Sequence, residues 1–303
     1  MNELTNEPAT DDQYKQLILM AINAAKNAVR AYATANYLSK VGAERVKGDT
    51  DFVGRIHEAV VLALTELSVS GQFKDEEVKS HYCYLSGYQP KSLADQVARL
   101  KTLYPQLKDA EVSDLGKLPK GAEGWFAIPN IWKDDSLLTG TYNDNVVRVL
   151  DLIKQDRNGV FYNRRKGQLV LKRLRQSART EVAMRKLSEE QGHPDILVIA
   201  AQFGLTHRGR SVRRACEVMV DQRQYGLGVF AIGVMLLTHP DRLKHLDDLW
   251  IDCAGDEFDD PDAVDRFDRA LCFELSIGWV WLATRRTGNA HVYYGSASCF
   301  LPQ

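Results

Sequence analysis

The sequence lacks the features that would assign it to several large classes. Its five cysteines form no C-x-x-C pair, and an odd, scattered set argues against a disulfide framework and for a reducing compartment. The longest apolar run, Val229–Leu237, stops far short of the roughly 20 residues that cross a bilayer. The first residues, Met-Asn-Glu-Leu-Thr-Asn-Glu-Pro, hold neither a basic cluster nor an apolar stretch, so no secretory signal is expected. No low-complexity tract or repeat is evident beyond a short echo, Leu-Thr-His at 205–207 and 237–239. No zinc-type histidine spacing occurs either, and no cofactor is implied. A cytoplasmic protein without a membrane segment is the expectation.

What is present suffices for a core: 303 residues, 45% of them hydrophobic, make one large domain or two ordinary ones. The charge, 39 basic against 40 acidic side chains, nearly cancels, but the two signs are segregated. From Arg157 to Lys186 there are ten Lys or Arg and one acid, Glu181. From Asp247 to Asp268 there are ten Asp or Glu and one base, Arg266.

Periodicity divides the chain in two. Residues 11–46 carry Tyr14, Leu17, Ala21, Ala24, Ala28, Ala31, Ala35 and Leu38 near heptad spacing, which predicts one long helix. A second helix is predicted on Phe52, Ile56, Val60, Ala63 and Leu67, forming a hairpin with the first. A third, capped by Ser92, ends before Pro105. The stretch 108–124 is charged, glycine-rich and aperiodic, and separates a helical region, 1–110, from a mixed region, 120–303. There, β-type runs at 124–129, 159–162, 196–200, 249–251, 271–273 and 279–282 interleave with helical segments at 145–154, 172–190 and 211–223. The apolar run after Gly228 reads equally as packed helix or strand. The fold class is α+β or α/β, with an N-terminal helical arm.

The segment Gly204-Leu-Thr-His-Arg-Gly-Arg-Ser211 lies between an apolar run and a helical one. It meets the phosphate-loop pattern G-x-x-x-x-G-K-[ST] except at Arg210, where a planar guanidinium replaces the slim ammonium. Three readings stand: a nucleotide site, a tight turn, or an anion-holding turn built from Gly204, Thr206, Arg208, Gly209, Arg210 and Ser211. In the last, an anion would relieve Arg208, Arg210, Arg213 and Arg214, which crowd a helix N-terminus.

The basic block offers a second candidate. If 172–190 is helical, Lys172, Arg175, Arg179 and Lys186 share a face. Arg164, Arg165 and Lys166 precede it beside Phe161 and Tyr162, a combination that suits a nucleic-acid backbone, although a solvated face explains it equally. With Arg213 and Arg214 these cations form the candidate polyanion or partner surface. The acidic block has three readings: a metal site at Asp252, Asp256 and Glu257, a partner for the basic block, or a surface for a cationic protein.

The stretch Asp195-Ile-Leu-Val-Ile-Ala200, with Gly204 to Arg214 and Leu249-Trp-Ile-Asp-Cys-Ala-Gly-Asp-Glu-Phe258, resembles uncharacterised proteins of phages and mobile elements. Among these, the family that inhibits the Gabija defence complex shares the size and two-part design. The resemblance implies an oligomer that envelops a large host nuclease assembly by binding, and it assigns no residue a role. Two functions follow. The first is a non-enzymatic binding protein acting on such a complex. The alternative is a nucleotide- or nucleic-acid-binding enzyme or regulator that uses the 204–211 turn.

Overall fold

The computed structural model describes residues 10–36, 38–48, 52–53, 56, 60, 63–64, 71–112 and 116–301. The chain divides into two compact units, Met1–Gln72 and Phe73–Gln303. In the first, helix α1 spans Asp11–Asn36 and α2 spans Lys40–Gly48. The single helix expected over 11–46 is thus two. Ser39 starts the second, its Oγ accepting from the Gly42 N–H at 3.0 Å and its carbonyl from the Ala43 N–H, as an N-cap does. The helix expected from Phe52 to Leu67, and with it the hairpin, lies largely outside the described residues.

The second unit is α+β. Five further helices are α3 (Leu93–Leu103), α4 (Tyr142–Asp156), α5 (Ala178–Glu190), α6 (Val212–Asp221) and α7 (Val229–Thr238). Side chains start most of them. Ser92, Ser177 and Ser211 cap α3, α5 and α6, and Thr141 with Asp144 forms a reciprocal capping box at α4. Because α3 packs on the first strand, the segment from Phe73 belongs with the sheets, and the compact boundary falls before it, not at 108–124.

The strands are β1 (Gly124–Pro129), β2 (Phe161–Asn163), β3 (Leu174–Gln176), β4 (Ile196–Gln202), β5 (Gln224–Gly226), β6 (Trp250–Asp252), β7 (Asp256–Phe258), β8 (Arg269–Ser276), β9 (Trp279–Arg286), β10 (Tyr294–Ser296) and β11 (Ser298–Phe300). One sheet, in the order β1-β4-β11-β5, is antiparallel throughout. Every residue of β4 is buried, which accounts for its unbroken apolar run. The other sheet runs β10-β6-β8-β7-β3, with β9 on β8 and β2 on β9. Its two faces differ: Leu271, Phe273 and Leu275 point into the core, while Cys272, Glu274 and Ser276 alternate with them on β8.

A large apolar cluster joins residues of both sheets, and α7 is its centre, with all ten residues buried. The run after Gly228 is therefore a core helix. Gly233 lets it approach α4 closely, since a Cβ there would lie 3.1 Å from Val149 methyls.

The expected helix over 172–190 is corrected. Turn bonds from Arg173 and Leu174 N–H to the Val170 carbonyl precede β3, and the helix begins only after Ser177. Lys172 and Arg175 therefore lie outside the helix, and of the expected set only Arg179, seven residues from Lys186, shares a helix face with it.

Candidate functional site

The 204–211 segment is a stitched turn. Of its eight backbone N–H groups, seven are already bonded within the chain. Gly204 and Thr206 donate to Gln202 Oε1 at 2.6 and 3.3 Å, and Leu205 donates to the Tyr84 hydroxyl at 3.2 Å. His207 donates to the Gly204 carbonyl, Gly209 to Tyr294, Arg210 to His207 and Ser211 to Glu76. The two glycines permit this density. Both have positive φ (124° and 78°), and a Cβ on Gly204 would stand 2.5 Å from the Gly295 carbonyl oxygen, while one on Gly209 would strike that of Val78. A phosphate needs the same N–H groups pointing outward, so the cradle is taken.

The anion that the arginines demand comes from the protein. Glu76 accepts from Ser211 Oγ at 2.6 Å and from Arg213 Nε at 2.8 Å. Glu77 accepts from Arg214 Nε at 2.5 Å and Arg210 Nε at 3.2 Å. The Arg213 guanidinium, foremost, holds the Glu76 carboxyl below its usual range. Both carboxylates lie at the N-terminus of α6, the favourable end of the helix dipole. Arg208 donates to the Tyr82 carbonyl at 3.2 Å. Sequence reasoning passed over Glu76 and Glu77, whose partners lie more than 130 residues away.

The opposed charge blocks meet in part. Strands β3 and β7 pair antiparallel with Arg175 opposite Glu257, and their side chains bond at 2.6 Å. Arg165 contacts Asp260 at 2.7 Å and Asp262 at 3.1 Å. Arg164 stacks on Trp281, 4.2 Å from the ring centroid. Arg179 donates to the Gln224 carbonyl at 2.6 Å. Lys166 and Lys172 are exposed and make no ion pair among the described residues. The basic block is thus dispersed over a strand edge, a turn and a helix.

The candidate metal set comes apart as well. Asp252 pairs with Arg285 at 3.0 Å, Asp256 accepts from the Tyr142 hydroxyl and the Val229 N–H at 2.6 and 2.7 Å, and Glu257 faces Arg175. Among the described residues no three His, Cys, Asp or Glu side chains are grouped to hold a metal. Burial raises the Asp252 carboxyl to about 6 and that of Asp256 to about 7, hydrogen bonds offsetting part of the desolvation. Asp256 supplies the N-terminal partner that Gly228 lacks the side chain to give to α7.

Beneath the turn lies a buried polar cluster that sequence reasoning missed. Arg242 is 0% exposed, lies 3.8 Å over the Tyr84 ring and donates to the Leu249 carbonyl at 2.7 Å. Tyr84 in turn donates to Glu123 at 2.6 Å. Arg242 Nε and Nη1, the Tyr88 hydroxyl and Glu123 Oε2 make no protein hydrogen bond. Burial raises the Glu123 carboxyl, and buried groups of this kind bind ordered water. A signal for Arg242 was present. The Leu-Thr-His echo extends to Leu-Thr-His-x-x-Arg in both copies, and although the first copy is a tight turn and the second starts at a helix end, they share one bond, the Arg210 and Arg242 N–H donating to the His207 and His239 carbonyls. Both histidines are buried, and desolvation lowers each to about 4.

The five cysteines are free, and no described helix is long and apolar enough to cross a membrane. No family model matches the chain, and neither a curated protein nor a solved structure matches it.

Proposed function

We propose that this chain is a non-enzymatic binding protein that assembles through its N-terminal helical unit and engages a large host protein complex in the cytoplasm. The observation that supports this reading is the surface of α1. None of its described side chains is buried, and Leu17, Ile18, Leu19, Met20, Ile22, Val29 and Tyr32 are exposed. These residues surround more than one stripe of the helix, so a single neighbour would cover only part of them. Burying each Leu, Ile or Val completely is worth about 1.5–3 kcal/mol, and a second copy brings the same residues. An isologous pairing therefore doubles each contact.

The resemblance to phage anti-defence proteins supports a multi-subunit host nuclease assembly as the partner class. The alternative, a nucleotide-binding regulator acting through the 204–211 turn, has lost its cradle to Gln202, Tyr84, Tyr294 and Glu76.

Light scattering after size exclusion tests the assembly. The wild type should elute as an oligomer, and Ile18→Glu combined with Ile22→Glu should reduce its mass toward 34.2 kDa without altering far-UV dichroism. A wild-type monomer at tens of micromolar would sink the reading. Affinity capture from a host lysate then tests the partner, which should be recovered stoichiometrically with the wild type and poorly with the double variant.

A further inference from the structure

The sheet that holds β8 and β9 turns Leu271, Phe273 and Leu275 into the core, and its opposite face is aromatic. Tyr162 on β2 lies opposite Trp281 on β9, and Trp281 lies opposite Glu274 on β8. Tyr294 on β10 continues the row, its hydroxyl donating to Glu274 at 3.0 Å. Strand alternation puts Trp279, two residues before Trp281, on this same face. Helix α6 covers the Ala270 end of the face through Val212, Ala215 and Met219. Tyr162 and Trp279 are left bare, 50% and 41% exposed.

Cations stand beside these two rings. Arg164 is half exposed and stacks on Trp281, which holds its guanidinium in place. Among the described residues it reaches one carboxylate, Glu274, at 4.0 Å, and Tyr294 already bonds that group. Lys166 follows in the turn after β2, exposed and without an ion pair among the described residues. Its neighbour Arg165 is instead spent on Asp260 and Asp262, and Phe161 is buried. Alternation along 161–166 has thus sorted the segment, leaving Tyr162 and Arg164 together on the open face. The indole N–H of Trp281 also meets no acceptor, although buried indoles usually find one.

Bare rings next to cations that carboxylates have not neutralised match a chain of unpaired bases on a polyanionic backbone. Every base offers a π-face, and every phosphate needs a counter-charge. A duplex hides the faces of its bases and could use only the cations. We propose that this sheet face binds single-stranded nucleic acid. Bases stack on Tyr162 and Trp279, while Arg164 and Lys166 contact phosphates. The site uses no residue of the N-terminal unit, so it stands or falls independently of the assembly proposed above.

Fluorescence anisotropy on the full chain at low salt tests the site, with labelled oligothymidylate and oligouridylate of about 15 nucleotides. Saturable binding is expected, and the tighter of the two strands shows whether the 2′-hydroxyl contributes. Duplex DNA and inorganic polyphosphate should bind at least about tenfold more weakly, since neither offers bases to stack. Tyr162→Ala and Trp279→Ala should each cost about fivefold or more, the loss of one stacked base. Both side chains are exposed, so melting temperatures should not change. Arg164→Gln combined with Lys166→Gln should lower the slope of log affinity against log salt by about 1.4, or about 0.7 for each phosphate lost. Absence of saturable binding to either strand at tens of micromolar protein would overturn the proposal. So would folded alanine variants that bind like wild type, an unchanged salt slope in the double variant, or polyphosphate binding as tightly as the oligonucleotides.

Discussion

Ile277 adopts φ 47° and Gly278 φ 80° at the turn joining β8 to β9. Two successive positive φ values give the reverse turn whose twist suits a hairpin, and Asn-Gly is its usual sequence. A β-branched side chain is disfavoured there by roughly 1–2 kcal/mol. Ile277 is 79% exposed and regains little by burial. Ile277→Asn should therefore stabilise the protein by about 1 kcal/mol, read as a higher urea midpoint with unchanged slope. A midpoint at or below that of wild type would show that strain is not what governs this position. Other single residues were readable from sequence. Ser92 declared its helix, because a cap acts on N–H groups three residues away. The echoed motif marks Arg242 but not its surroundings, since only tertiary packing brings Tyr84 and Phe203 under its guanidinium.

At the scale of elements, the 172–190 segment shows why periodicity misled. Leu171, Leu174, Ala178 and Val182 have helical spacing, yet Leu171 is 72% exposed and Val182 half exposed, so they bury no common face. Long-range pairing with β7 decided Leu174–Gln176, and sequence spacing carries no record of it. The 204–211 segment was readable as strand, turn and helix but not in its polarity, because Glu76 and Glu77 arrive from a distant stretch. This arrangement makes a prediction for α6. Replacing both residues by Gln leaves Arg210, Arg213 and Arg214 at a helix N-terminus without a counter-charge. The double variant should lose about 1–2 kcal/mol, mostly from Glu76, since the more exposed Glu77 is better screened. Added sulfate should then raise its melting temperature more than that of wild type. Equal sulfate responses would mean that the two carboxylates do not serve as the anion of this turn.

At the scale of the whole molecule, the two units differ in how their charged and apolar side chains are placed. In Phe73–Gln303 the opposed charge blocks are partly spent on each other, through Arg165 with Asp260 and Arg175 with Glu257. Segregated charge in the sequence is therefore in part a record of strand pairing. In Met1–Gln72 the described helices keep their apolar side chains outward, and α2 buries none. An isolated helix of this length gains little from propensity alone and depends on packing for most of its stability. If a second copy supplies that packing, the protection of α1 must follow mass action, whereas the sheets of the other unit must not respond. Hydrogen exchange at two protein concentrations about a hundredfold apart separates the cases. Amides of Asp11–Asn36 should exchange more slowly at the higher concentration, by up to about tenfold where the dimer is the major species and exchange proceeds through the monomer, whose fraction then falls as the square root of concentration. Amides of β4 and α7 should exchange at the same rate in both samples, since their neighbours belong to their own unit. Protection of α1 that is independent of concentration would mean that contacts within one chain hold the helix, and the exposed stripe would then need a different partner.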